Sequence, residues 1–227
     1  MSIVDRMQRV LVIAPHPDDE ILGVGGTMAR LAAAGRDVEV AIVTRGAPPR
    51  FSAADVARVA AEAATAHALV GVRRTHWLDF PAAALDQVPH ADLNAAIGAL
   101  VADVAPDTLF VPFIGDVHLD HQLVFNAAMV AARPRDGNCP QRVLAYETLS
   151  ETNWYAPGIT PTFAPNVHIG IADQLETKLA AFAAFASQVQ AFPAERSPEA
   201  LRALAMLRGA TVGHAAAEAF MLIREVG

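Results

Sequence analysis

Two hydrophobic periods take turns along this chain. Val10–Ala14 is an unbroken apolar run, the length of a strand buried on both faces. Leu22–Ala34 then repeats its apolar positions at helical spacing until Gly35, a residue suited to the left-handed stop of a helix. The alternation continues through a strand at Val38–Thr44, a long helix at Ala53–Val70 closed by Gly71, a short strand at Thr75–Leu78 and a helix at Ala91–Val104. It goes on with a strand at Thr108–Pro112, a helix at Leu119–Ala132 and a strand at Arg142–Tyr146. Thr152–Asn166 breaks the pattern: it is rich in Pro, Thr and Asn, carries Trp154 and Tyr155, and predicts an irregular loop of the kind that borders sites. Helices over Asp173–Gln190 and Pro198–Arg208 follow, and the last apolar segment, Ala215–Ile223, suits a strand and a helix equally.

Strand and helix in strict alternation predict an α/β fold, a single three-layer domain over residues 1–227 with a largely parallel, Rossmann-like sheet and helices on both faces. A chain of 227 residues, 53% hydrophobic, can build such a core. Alanine is roughly one residue in five, so much of that apolar content is small side chains that favour helix and close packing. The net charge of -7 argues against nucleic acid and anionic membranes as partners. No apolar run reaches the length of a spanning helix, and Asp5, Arg6 and Arg9 interrupt the start in a way a signal peptide does not. Cys139 is the only cysteine, in keeping with a reducing compartment, and the expected location is the cytoplasm. Self-association into a homo-oligomer stays open.

The chemistry concentrates at two strand ends. His16-Pro17-Asp18-Asp19-Glu20 follows the first strand, and His118-Leu119-Asp120-His121 follows the strand at Thr108–Pro112. Ligands of open α/β sheets sit beyond the carboxyl ends of the strands, so two segments a hundred residues apart can meet there. Three ligands drawn from these imidazoles and carboxylates form an N/O set suited to zinc with one coordination position left for water, which is the catalytic type; a closed structural site would use several cysteines. Adjacent Asp18 and Asp19 cannot aim at one point alike, so one is cast as ligand and the other as base. His118 and His121, three apart at a helix start, share a face, one to grip metal and one to reach substrate. Simpler roles compete: Asp19 as a helix cap, Asp120 and Glu20 as first-turn carboxylates, Arg58 and Glu62 as a surface ion pair, Lys178 on a helix surface. Gly23, Gly25 and Gly26 fit close packing as well as a phosphate loop. His67, His76, His90, His168 and His214 stand isolated.

Ala14-Pro15-His16-Pro17-Asp18-Asp19-Glu20, Gly23-Val24-Gly25-Gly26 and Asp116-Val117-His118-Leu119-Asp120-His121 together resemble the zinc-dependent PIG-L/LmbE-type de-N-acetylases. Further similarities run almost to the C-terminus: Thr44-Arg45-Gly46, Arg58 with Glu62, Tyr146-Glu147, Lys178, Ser187-Gln188 and Ala217-Glu218-Ala219-Phe220. The resemblance implies that His16, Asp19 and His121 hold Zn2+, or Fe2+, Mn2+ or Co2+ in its place. It makes Asp18 the general base, His118 the acid or electrostatic partner and Arg58 a substrate contact; a protonated His118 oriented by Asp120 would stabilise the oxyanion. Trp154 and Tyr155 are candidates to stack on a sugar ring. The implied reaction removes an N-acetyl group from an N-acetylated amino sugar or glycoconjugate with zinc-activated water. An amidase acting on a larger amide such as a thiol conjugate, and a non-catalytic metal-binding α/β protein, are the alternatives. Thiol-cofactor branches of that family carry tyrosine where Asp116 stands here, which weighs against a thiol-pathway substrate. Roles for Glu20, His214 and Lys178 remain open at this level.

Overall fold

Seven strands form one mixed sheet in the order β3-β2-β1-β4-β5-β7-β6 in the computed structural model, which describes residues 3–134, 139–154, 156 and 158–227. The strands are β1 (Arg9–Ala14), β2 (Asp37–Arg45), β3 (Arg74–Pro81), β4 (Thr108–Pro112), β5 (Arg142–Tyr146), β6 (Val167–Gly170) and β7 (Ala217–Glu225). β1 to β5 pair in parallel, while β7 runs antiparallel between β5 and β6. Among the described residues six α-helices accompany the sheet: α1 (Asp19–Ala33), α2 (Ala53–Val70), α3 (His90–Val104), α4 (Leu119–Ala131), α5 (Leu175–Ala183) and α6 (Pro198–Ala210). None of the described helices is long and apolar enough to cross a membrane.

The period of two along each strand divides the interior. Val10, Val12 and Ala14 of β1, with Val38, Val40 and Ile42 of β2, face the layer of α1, α2, α5 and α6. Leu11, Ile13, Ala41, Val43, Leu109 and Val111 face α3 and α4 on the other side. Both layers are apolar, which is why the central strands read as continuous runs rather than alternations. Gly71 stops α2 at φ 77, as its position foretold.

One segment left open is settled, one strand is added and one expected helix is shorter. Ala215–Ile223, compatible with either state, is strand from Ala217 onward, because β7 fills the slot between β5 and β6. β6 itself was not anticipated: four residues with one fully buried side chain carry too short a pattern to read. The helix expected over Asp173–Gln190 covers only Leu175–Ala183, since the Ser187 N–H turns to Glu62 Oε1 (3.0 Å) and the Gln190 N–H to the Arg196 carbonyl (2.8 Å). Gly23 and Gly26 lie inside α1 rather than in a phosphate loop; a Cβ on Gly26 would stand 2.6 Å from Ile171 Cδ1.

The order of the strands places the site. From β1 the chain runs outward to β2 and β3, then crosses back to lay β4 on β1's other edge. The crevice between the carboxyl ends of β1 and β4 is the point where the winding reverses, and both histidine motifs open from it.

Candidate active site

Leaving β1, the chain is tied at once to its neighbour: the Pro15 carbonyl accepts from the Thr44 N–H (3.0 Å) and hydroxyl (2.8 Å). Asp18 then caps α1 with a left-handed backbone, φ 115, unusual for a residue with a Cβ. That turn sends the two neighbouring carboxylates to different places. Asp18 Oδ2 accepts from Arg196 Nη1 at 2.7 Å, whereas Asp19 Oδ2 accepts from the His16 N–H at 2.9 Å and lies 3.2 Å from His121 Nε2 and 3.4 Å from His16 Nδ1.

The second segment begins α4. His118 is its cap, with Nδ1 accepting from the Asp120 N–H (3.1 Å), so in the neutral ring the hydrogen sits on Nε2. His121, fully buried in the first turn, donates from Nδ1 to Asp116 Oδ2 (2.8 Å). Asp116 is held in turn by the Thr152 hydroxyl at 2.6 Å. The rings of His16 and His118 have centroids 4.6 Å apart, and those of His118 and His121 5.6 Å.

The donor set fits a divalent cation. Ligand atoms of His16, Asp19 and His121 lie within 4.8 Å of one another. Asp19 Oδ1 and His121 Nε2 are buried with no hydrogen-bond partner, two polar atoms of high cost unless something binds them. The backing of His121 by Asp116 is the carboxylate–imidazole arrangement that fixes a ligating histidine. His16 has the same support, from Asp120 Oδ2 at 3.0 Å on Nε2. His16, His118 and Asp120 also cluster within 4.8 Å, but the Asp120 carboxylate is already satisfied by His16 and the N–H groups of Ala83 (2.7 Å) and Leu85 (3.3 Å).

The field agrees. Burial by itself lowers an imidazole, yet the Asp19 and Asp116 carboxylates outweigh it and raise His121 to about 10, and Asp120 with Asp19 raises His16 to about 9. A spot that draws protons this strongly onto two imidazoles draws any cation. Burial pushes the Asp18 carboxyl up to about 8 against the pull of Arg196, and burial lowers His118.

Over these groups opens a cavity of about 480 Å³. Its lining includes His16, Asp18, His118 and Arg196 together with the apolar side chains of Phe51, Val56, Val59 and Trp77. Arg58 lines it, but its expected pair with Glu62 is not formed: Arg58 Nη2 donates to Asp55 Oδ1 (2.6 Å), and Glu62 is taken by Ser187. Trp154 is not among the lining residues; it is 63% exposed and its indole N–H donates to Glu195 (2.9 Å). Tyr155 lies outside the described residues. The expected orientation of His118 by Asp120 is corrected too, since the two meet through the Asp120 main chain while its carboxylate holds His16. Lys178 is buried rather than on a helix surface, bonded to Glu218 Oε1 at 2.6 Å. His214 packs beside Gly170, away from the cavity lining. Sequence reasoning missed Asp116 as a partner of His121 and Arg196 as a partner of Asp18. An acid just upstream of the second motif was a signal for the first; nothing marked the second.

Known proteins resemble this chain along nearly its whole length. The family model described as PIG-L, GlcNAc-PI de-N-acetylase, matches residues 11–132. An uncharacterized deacetylase, YaiS, of Escherichia coli is 30% identical over 190 residues, 80% of this chain and 92% of that protein. The diacetylchitobiose deacetylase of Thermococcus kodakarensis is 28% identical over 231 residues, 96% of this chain and 84% of that one. Among solved structures, the conserved protein TT1542 of Thermus thermophilus superposes with a TM-score of 0.77 at 29% identity, covering 97% of both chains.

Proposed function

The chain belongs to the PIG-L family of GlcNAc-PI de-N-acetylases, and on that footing we propose that it is a metal-dependent hydrolase, with zinc as the metal, that removes the acetyl group from an N-acetylated amino sugar or glycoconjugate. One observation carries the reading: the orphaned Asp19 Oδ1 and His121 Nε2 lie in one cluster with His16, and His16, Asp18 and His118 line a single cavity. The deacetylase names of the similar proteins support it.

His16, Asp19 and His121 would hold the cation. When bound, a divalent cation supplies Lewis acidity, polarising the acetamide carbonyl and acidifying a water beside it. Asp18 in its ionised form, kept in place by the Arg196 guanidinium, would take a proton from the attacking water at its carboxylate and return one to the departing amine. His118, its Nδ1 committed to the main chain, offers Nε2–H to the oxygen on which negative charge gathers. Arg58 and the wall of Phe51, Val56 and Val59 receive the sugar, whose ring has polar edges and apolar C–H faces.

The test is acetate release from a panel of N-acetylglucosamine derivatives, free, glycosidic and nucleotide-linked, run beside N-acyl thiol conjugates, with and without chelator. Release from acetylated sugars that stops on chelation and returns with zinc is expected. Turnover confined to thiol conjugates would promote the amidase, and metal binding without turnover of any amide the non-catalytic protein. The location expected for such an enzyme, acting on a soluble small molecule, is the cytoplasm.

A further inference from the structure

Two consecutive aspartates divide two tasks only because the backbone of Asp18 is left-handed, and a non-glycine residue stays in that region when its surroundings hold it there. Asp18's own carbonyl is occupied by the first turn of α1, accepting from Ile21 (3.0 Å) and Leu22 (2.9 Å). Its N–H faces inward and finds Glu20 Oε2 at 3.2 Å. Glu20 is fully buried, and its other oxygen meets His67 Nε2 at 2.9 Å. His67, also buried, extends from α2 and closes the chain of contacts with Nδ1 on Thr75 Oγ1 of β3, at 2.7 Å. None of these three side chains lines the cavity.

Resting on the reading above, in which Asp18 handles the proton, we infer that Glu20, backed by His67 and Thr75, is a positioning residue: the Thr75–His67–Glu20 relay pins the Asp18 N–H and so keeps the Asp18 carboxylate toward the cavity while Asp19 stays with the ligand set. A capping carboxylate on a helix surface would do as much for α1 alone. Glu20 instead sits under the turn, and its support comes from two other elements, α2 and β3. The relay thus couples the seating of α2 on the sheet to the aim of the base.

The ring of His67 makes the arrangement testable. Glu20 needs two acceptor oxygens while His67 donates from Nε2 and accepts from the Thr75 hydroxyl at Nδ1. Glu20→Gln can still accept the Asp18 N–H with its carbonyl if its amide donates to His67 Nε2 and the ring donates from Nδ1 to Thr75. Glu20→Ala has no such route. The expected result is that Glu20→Ala lowers kcat about 10²-fold, the scale of a displaced reacting group, with KM and bound metal unchanged. Glu20→Gln should recover most of that loss. A role in stability alone would lower Tm and leave kcat per folded molecule intact.

Crystal structures supply a readout independent of turnover: in Glu20→Ala, Asp18 should leave positive φ and part from Arg196. An Asp18 unchanged in that structure, or a Glu20→Ala enzyme with the wild-type kcat, overturns the inference. Should Glu20→Ala not fold, Thr75→Val removes only the outermost hydroxyl. It is expected to give a smaller kcat loss with the same split, and an unchanged kcat with an unchanged Asp18 counts against the relay. A wild-type protein inactive on every acetylated sugar would refute the proposed function, while the structural arm would still decide the relay.

Discussion

Removing the Asp116 carboxylate should weaken metal binding without touching a ligand. Asp116 is fully buried and accepts from His121 Nδ1 at 2.8 Å and from the Thr152 hydroxyl at 2.6 Å. Asp116→Ala frees the His121 ring to rotate about its side-chain bonds and removes the negative charge that strengthens it as a donor. Losses of this kind cost about 10- to 100-fold in metal affinity, or about 1.4–2.8 kcal/mol. Asp116→Asn keeps an oxygen for the Nδ1–H but no charge, so its loss should fall at the lower end of that range. The assay is competition of the folded apoprotein against a chromophoric zinc chelator, with circular dichroism to confirm folding and kcat measured at saturating metal. The signature expected is a weakened Kd with kcat per loaded site nearly intact. Wild-type affinity in Asp116→Ala would mean that His121 does not hold the metal through the nitrogen opposite Asp116, and the ligand assignment would have to be redrawn.

Other substitutions separate the remaining roles. His16→Ala, Asp19→Ala and His121→Ala should each lose metal by elemental analysis, whereas Asp18→Asn and His118→Ala should keep it and lower kcat at least about 10²-fold. If Asp18→Asn strips the metal and Asp19→Asn does not, the two carboxylates have been exchanged. Lys178→Met should cost about 3–5 kcal/mol in chemical denaturation, because it leaves Glu218 buried without its cation; a loss under about 1 kcal/mol would show that the Gly26 and Thr27 N–H groups satisfy Glu218 alone. Arg58→Ala should raise KM for an active sugar with kcat little changed, while Trp154→Ala, outside the cavity lining, should leave kcat/KM as it was.

What the residue pattern disclosed was whatever is local. Strands buried on both faces announce themselves as apolar runs, and the two histidine motifs sit within a few residues of strand ends, so their meeting followed from the topology rule alone. The contacts that arm the site are of another kind. Arg196 reaches Asp18 across 178 positions, and Glu20 finds His67 across 47, with no periodicity to connect them. Lys178 likewise reads as helix surface, and Glu218 as part of a segment that suits strand and helix equally, until packing buries both. Arg58 shows the reverse failure: helical spacing nominated Glu62 as its partner, but Ser187 competes for that carboxylate and Asp55 stands closer. β6 was invisible because an edge strand of four residues needs its neighbour to exist at all.

That dependence bears on how the protein is made. β6 leaves the ribosome long before β7, the strand that joins it to the rest of the sheet, and until β7 arrives the flank of β5 is an unpaired edge of fully buried residues, Val143, Leu144 and Ala145. β7 must therefore slide between two strands already synthesised, rather than add to a finished border. It also brings Glu218, which bonds the Gly26 and Thr27 N–H groups in α1, the helix that begins at Asp19. From the completion of β5 until β7 is made, the nascent chain thus carries an open, adhesive seam, and the helix that follows the first histidine motif gains its Glu218 clamp when that seam closes.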